Sequence, residues 1–129
     1  MDKINKDHCF IKVNDLGLIS VPKIVCFCGS TRFANTYMIE RWKLEKQGII
    51  TLGINILPNG YFTEKDHHGA EQECVKHILD ELHFSKIDMA DEVVILNVGG
   101  YIGESTKAEL EYAKKRGKCI TYFEKPNEY

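Results

Sequence analysis

Four short apolar runs divide this chain, and between them the apolar positions recur at helical spacing. Lys23–Cys28, Ile49–Asn55, Glu92–Asn97 and Lys118–Phe123 set aliphatic and β-branched residues side by side rather than in strict alternation. Continuous runs of this kind mark strands buried on both faces, as in a parallel sheet. Phe33–Gln47 follows the first run, with Phe33, Tyr37, Met38, Trp42 and Leu44 at roughly helical intervals and Gly48 to close it. Ala70–Met89 predicts a long second helix with Val75, Ile78, Leu79, Leu82 and Ile87 on its apolar side. A third helix is predicted to begin at Ser105-Thr106, run to Arg116 and stop at Gly117.

Strands alternating with helices predict an α/β domain, and short right-handed crossovers favour the strand order 2-1-3-4. The expected fold is a doubly wound, Rossmann/flavodoxin-like parallel sheet with helices on both faces, over residues 23–129. Residues 1–22 stand outside the alternation. Cys9–Val13 and Leu18–Val21 predict short strands about an Asn14–Gly17 turn, and Pro22 separates them from the domain. A hairpin of this kind is expected to pair with a sheet edge or with a second copy of the chain, so a homodimer or higher homo-oligomer is expected.

Composition narrows the class. The chain has 129 residues, 43% of them hydrophobic, which suits one domain with one core. Basic (17) and acidic (19) residues are interspersed, so neither a nucleic-acid polymer nor a membrane surface is expected as partner. No apolar run approaches the ~20 residues that span a bilayer, and Met1–Ile11 is too charged to be expected as a signal peptide. Five scattered cysteines predict reduced thiols and a cytoplasmic setting. Cys26 and Cys28 do not form a CxxC pattern, and both are expected as small core residues on opposite faces of the first strand. His68, Glu71, Cys74 and His77 lie at successive i+3 steps, but each step drifts by about 60°, so no metal site is expected from them.

Chemistry concentrates at two strand-to-helix turns. Gly29-Ser30-Thr31-Arg32 follows the first strand and offers helix-start N–H groups, two hydroxyls and a guanidinium, a set suited to a phosphate. Ser30 or Thr31 serving only as a helix cap is the alternative. Gly99-Gly100-Tyr101-Ile102-Gly103-Glu104-Ser105-Thr106 follows the third strand and leads to Glu109. Gly103, Ser105 and Thr106 are candidates for holding a ligand in the crevice beyond the strand ends. Two roles stand open for Glu109. Thr106-Lys107-Ala108-Glu109 fits a capping box, and a carboxylate there also faces the crevice as a catalytic group. The 13-residue connection from Ile56 to His68 carries Tyr61 and Phe62, which are candidates for stacking on a base or for packing on the core.

Set side by side, the two turns resemble those of the nucleoside 2-deoxyribosyltransferase superfamily, most closely its 2′-deoxynucleoside 5′-phosphate N-hydrolase branch. Phe27-Cys28-Gly29-Ser30-Thr31-Arg32 is similar to that branch's phosphate motif FCGS-x-R. Gly103–Ala113 followed by Gly117-Lys118 resembles the second motif, and Asp88-Met89-Ala90-Asp91-Glu92-Val93-Val94 the approach to the third strand. Gly99-Gly100 with Thr106–Glu109 also echoes the GGxGTxxE turn of phosphoribohydrolases that activate cytokinins. The resemblance implies hydrolysis of the N-glycosidic bond of a nucleoside 5′-monophosphate, with sugar transfer between bases or nucleotide sensing without cleavage as alternatives. It implies Glu109 as nucleophile, kept ionised by the helix N-terminus, and Gly29, Ser30 and Arg32 as phosphate ligands. His83 stands where the family often carries an Asp, and His83, Asp88 or a water is the implied proton donor to the leaving base. Neither a metal nor an organic cofactor is implied.

Overall fold

The computed structural model describes residues 9–14, 17–58 and 74–126. Tyr61, Phe62, His68 and Glu71 lie outside them. Two strands, β1 (Cys9–Asn14) and β2 (Gly17–Pro22), pair antiparallel as a separate two-stranded sheet. The main sheet has four parallel strands: β3 (Ile24–Cys28), β4 (Ile50–Leu52), β5 (Glu92–Ile95) and β6 (Cys119–Tyr122). Their spatial order, β4-β3-β5-β6, is the expected 2-1-3-4. Three α-helices connect the strands among the described residues: α1 (Ala34–Glu45), α2 (Lys76–Met89) and α3 (Glu104–Lys115). The architecture is mixed α/β. No described helix is long and apolar enough to cross a membrane.

The alternation of side chains along β3 and β5 divides the core in two. Val25, Phe27, Val94 and Leu96 pack with Tyr37 and Leu44 of α1. Cys26, Cys28, Val93 and Ile95 pack with Ile87 of α2 and with Leu110 and Ala113 of α3. Residues two apart on a strand share a face, so Cys26 and Cys28 point the same way. The expectation of opposite faces is corrected on that ground.

The helices also turn differently from their apolar patterns. On α2 the buried residues are His83 and Ile87, while Ile78 and Leu82 are 53% and 47% exposed. At 100° per residue, Leu82 and Ile78 lie about 100° and 140° round the helix from His83. The face carrying His83, rather than the most apolar face, meets the sheet. On α1, Met38 and Trp42 likewise face outward, and Glu40 is buried in their place. The second helix is shorter than expected: Cys74 has φ +57°, Val75 precedes the first turn, and the helix starts at Lys76. That start also breaks the proposed i+3 series, because Cys74 is not helical.

Candidate active site

Both glycine turns sit at the carboxyl ends of adjacent strands, since β3 pairs with β5 through Cys28 and Ile95. Gly29 is required there by space. A Cβ at Gly29 would stand 2.8 Å from the Cβ of Leu96, closer than two carbons approach. In the second turn, Gly99 and Gly100 hold φ of +64° and +81°, a region that disfavours side chains. Asn97, fully buried, fixes this turn to the end of β6. Its amide donates to the Glu124 carbonyl at 2.8 Å and its oxygen accepts from the Glu124 N–H at 2.8 Å. The Gly100 N–H donates to the Glu124 carboxylate at 3.1 Å.

The turns touch one another. The Arg32 guanidinium stacks 4.2 Å over the Tyr101 ring, and Phe33 meets the same ring edge-on at 5.8 Å. No acidic partner of Arg32 is present among the described residues. Ser30 caps a short 3-10 turn, Thr31–Phe33, its hydroxyl accepting from the Arg32 N–H at 3.2 Å. Its helix-capping role is therefore real, and the hydroxyl hydrogen remains able to donate. Tyr101 went unnoticed in the sequence because nothing local marks an aromatic residue that will stack on an arginine from another turn.

Glu109 is not a cap. Helix α3 starts at Glu104 with Gly103 as its N-cap and no side-chain cap bond, so the capping box predicted at Thr106 does not form. Glu109 lies in the second turn, on the buried stripe Thr106, Glu109, Leu110 and Ala113. Ser105 stays outside this stripe, exposed, and accepts from Lys76 at 3.3 Å. The Glu109 carboxylate points inward, 3.7 Å from Nε2 of His83 on α2. Nε2 in turn lies 3.2 Å from the Cys28 sulfur and 3.9 Å from the Cys26 sulfur. The cluster thus joins three elements, β3, α2 and α3.

Burial sets its electrostatics. Glu109 is 7% exposed, and loss of solvent pushes its pKa up to about 7, although the charge of His83 pulls the other way. A carboxylate fully ionised by the helix start was expected; desolvation outweighs that influence. Burial opposes the charged form of His83, but the hydrogen bond to Cys26 and the charge of Glu109 outweigh it, and its pKa is raised. The hydrogen bond from Cys28, aided by His83, lowers Cys26 to about 6 against the opposing cost of burial. Cys28 is nearer to His83, yet its bond to Cys26, its burial and the charge of Glu109 all hold it protonated, far above the usual thiol range. The cluster therefore stores protons that move near neutral pH, as groups at reactive sites do.

Asp88 is not part of it. It lies at the far end of α2, just before β5, where it accepts from the Tyr112 hydroxyl at 2.7 Å and from Arg116 at 2.8 Å. Those bonds, Tyr112 first, hold its carboxyl below the usual range. The cysteines are what sequence reasoning missed, and the period of two along β3 was the signal that would have placed both sulfurs on the His83 side. No protein-family model, curated protein or solved structure matches this chain.

Proposed function

We propose that the protein hydrolyses the N-glycosidic bond of a nucleoside 5′-monophosphate of the 2′-deoxy series, releasing free base and sugar 5-phosphate. The observation that carries this reading is Glu109: a buried carboxylate freed from any capping role, beside His83 and beneath two touching glycine turns. In the reaction, a Glu109 oxygen attacks C1′ of the sugar, the C1′–N bond breaks, and its electron pair leaves with the base. Water then attacks C1′ of the glycosyl ester, returning the carboxylate and passing its proton to solvent. Protonated His83 favours the ionised form of Glu109 that this attack needs, and it is a nearer proton source than Asp88. Arg32 with Gly29, Ser30 and Thr31 would hold the 5′-phosphate, and Gly103, Ser105 and Thr106 the sugar side of the crevice. Tyr61 and Phe62 stay candidates for the base.

The reading includes membership of the nucleoside 2-deoxyribosyltransferase-like superfamily and its doubly wound arrangement, supported by α1 packing in one core and α2 with α3 in the other. It includes a reducing, cytoplasmic setting, supported by free thiols at Cys26, Cys28, Cys74 and Cys119. A homodimer is supported by the exposed apolar side chains of Ile39 and Trp42 on α1 and Ile78 and Leu82 on α2. A monomer mass in light scattering at full activity would exclude it.

The test is incubation of the protein with a panel of nucleosides and 5′-monophosphates, followed by chromatography for free base. Base release from monophosphates, with a sugar phosphate adduct on the peptide containing Glu109 when a slow substrate is trapped, is the expected result. Appearance of an exchanged nucleoside on adding a second base would reassign the chain to sugar transfer. A nucleotide that raises Tm without any base release on long incubation would make it a binding module.

A further inference from the structure

Three donor atoms converge on one buried point between β3 and α2, two thiol sulfurs and an imidazole nitrogen, and a carboxylate oxygen of α3 stands 3.7 Å from the nitrogen. We propose that Cys26, Cys28 and His83, completed by Glu109, form a tetrahedral site for a thiophilic divalent metal ion, of which Zn2+ is the type. The geometry carries this. Zinc bonds of about 2.3 Å to sulfur and about 2.0–2.2 Å to nitrogen or oxygen set neighbouring ligands of a tetrahedron about 3.3–3.8 Å apart. Here Nε2 of His83 stands 3.2 and 3.9 Å from the two sulfurs and 3.7 Å from the Glu109 oxygen. The ligand atoms of Cys26, Cys28 and His83 all lie within 4.8 Å of one another. Three donors already stand close enough for three corners of a small tetrahedral ion, and the Glu109 side chain, outside that group of three, turns in to complete the fourth.

The donor set selects the ion. Two thiolates and an imidazole favour zinc and other soft or borderline metals, whereas magnesium and calcium want oxygen ligands in greater number. A bound dication also counters the charge of the two thiolates and the carboxylate together, which a single imidazolium cannot do. The thiols must lose their protons to bind, and those protons, with any held by Glu109, pass to solvent as the metal enters. Glu109 retains the most exposure of the ion-paired members, 10% of its side chain against 4% for His83, and so marks the side from which the ion arrives. A Cys-x-Cys pair on one strand gives two ligands on one face because the strand repeats every two residues. The third and fourth come from helices that cover that same face.

The site stands on its own geometry, but one consequence rests on the function proposed above. A carboxylate oxygen bound to metal is withdrawn from the sugar, so occupancy turns base release off and removal of the metal restores it.

The experiment is titration of the reduced, chelator-treated full chain with Co2+ under argon. A single cobalt per chain is expected, with thiolate-to-metal charge-transfer absorption in the near ultraviolet and the intense visible bands of a tetrahedral ion. Zn2+ should displace it and bleach both, and native mass spectrometry should show one added zinc. Glu109→Gln should keep the charge-transfer absorption and alter the visible bands. No charge-transfer absorption in the wild-type protein at equimolar cobalt would overturn the site, and this needs no variant to fold. Its persistence in a Cys26→Ser/Cys28→Ser protein with unchanged far-ultraviolet circular dichroism would overturn it equally. Zinc bound with undiminished base release would overturn ligation by Glu109. Lack of base release by the metal-free chain would refute the glycosidase reading and leave the cobalt result to judge the metal site alone.

Discussion

The sheet buries a carboxylate at each end, and the two are treated in opposite ways. At the amino end, Glu92 of β5 is met by the Lys23 ammonium at 2.7 Å and by the Thr121 hydroxyl at 2.8 Å. Around it Asp91 accepts from the Ile24 N–H at 2.9 Å, and Lys118 donates to the last carbonyls of α2 at 2.8 and 3.0 Å. Each of these charges has an opposite charge or a hydrogen-bond partner in contact. At the carboxyl end, Glu109 meets His83 at 3.7 Å among the described residues, and behind His83 stand two thiols that themselves ionise to anions. Lysine is a permanent cation near neutral pH and imidazole is not. One end is therefore held by an ion pair and a hydroxyl that tie the entry of β3 to β5 and β6. The other is left balanced between protonation states, which is what a reacting group or a metal site requires.

Glu109→Gln tests this contrast most severely. The amide keeps the size of the side chain and removes its ability to ionise. The variant should fold and bind nucleotide while turnover falls by ~10³-fold or more, the scale of a lost covalent nucleophile. Near-normal base release from the folded variant would break the comparison. At the other end, Lys23→Met leaves Glu92 buried without its cation. A loss of about 3–5 kcal/mol in denaturant unfolding is expected, with whatever fraction stays folded keeping its turnover.

pH separates the ends further. Glu109 is raised in the folded protein, so its protonated form stabilises the fold. That contribution is complete below the unfolded value near 4.5 and is lost as pH rises through about 7. The metal-free protein should thus lose stability across this window, by at most about 1.4 kcal/mol per pH unit, and Glu109→Gln should flatten the slope. Turnover should move the other way and rise through about pH 7 as the nucleophile ionises. A flat unfolding profile in the wild-type protein would contradict the assignment of the shift to Glu109.

Arg32→Ala sharpens the picture of the crevice. It should weaken monophosphate binding by ~1.5–3 kcal/mol, a charge-assisted contact, and leave nucleosides little changed. Equal loss for both would assign Arg32 to holding Tyr101 rather than phosphate. The smallest effect is expected from Asp88→Asn. Asp88 belongs to a solvent-facing network with Tyr112 and Arg116, so base release should be unchanged within error. A large loss of turnover would restore it as a proton donor.

Much of this was written in local pattern. The apolar runs gave the strands, the strand–helix alternation gave the order β4-β3-β5-β6, and the glycines marked both turns. These features are legible because each depends on neighbours a few residues away, through side-chain period, turn conformation and short crossovers. Ser30 and Arg32 could be assigned to one turn for the same reason. What stayed illegible was which face of a helix is covered. Ile78 and Leu82 look like the inner stripe of α2 and lie outside, while His83, which is off that stripe, lies inside.

The sequence by itself therefore determined the α/β alternation, the two turns and the presence of a carboxylate shortly after the second. It left Glu109 with two roles, because a capping box and an inward-facing acid share one spacing. Only the tertiary structure removed the capping role, by starting α3 at Glu104, and only it gathered Cys26, Cys28, His83 and Glu109. The reason is physical: a pKa of about 7 on Glu109 comes from the solvent it has lost, and solvent is excluded by elements that lie dozens of residues apart in the chain.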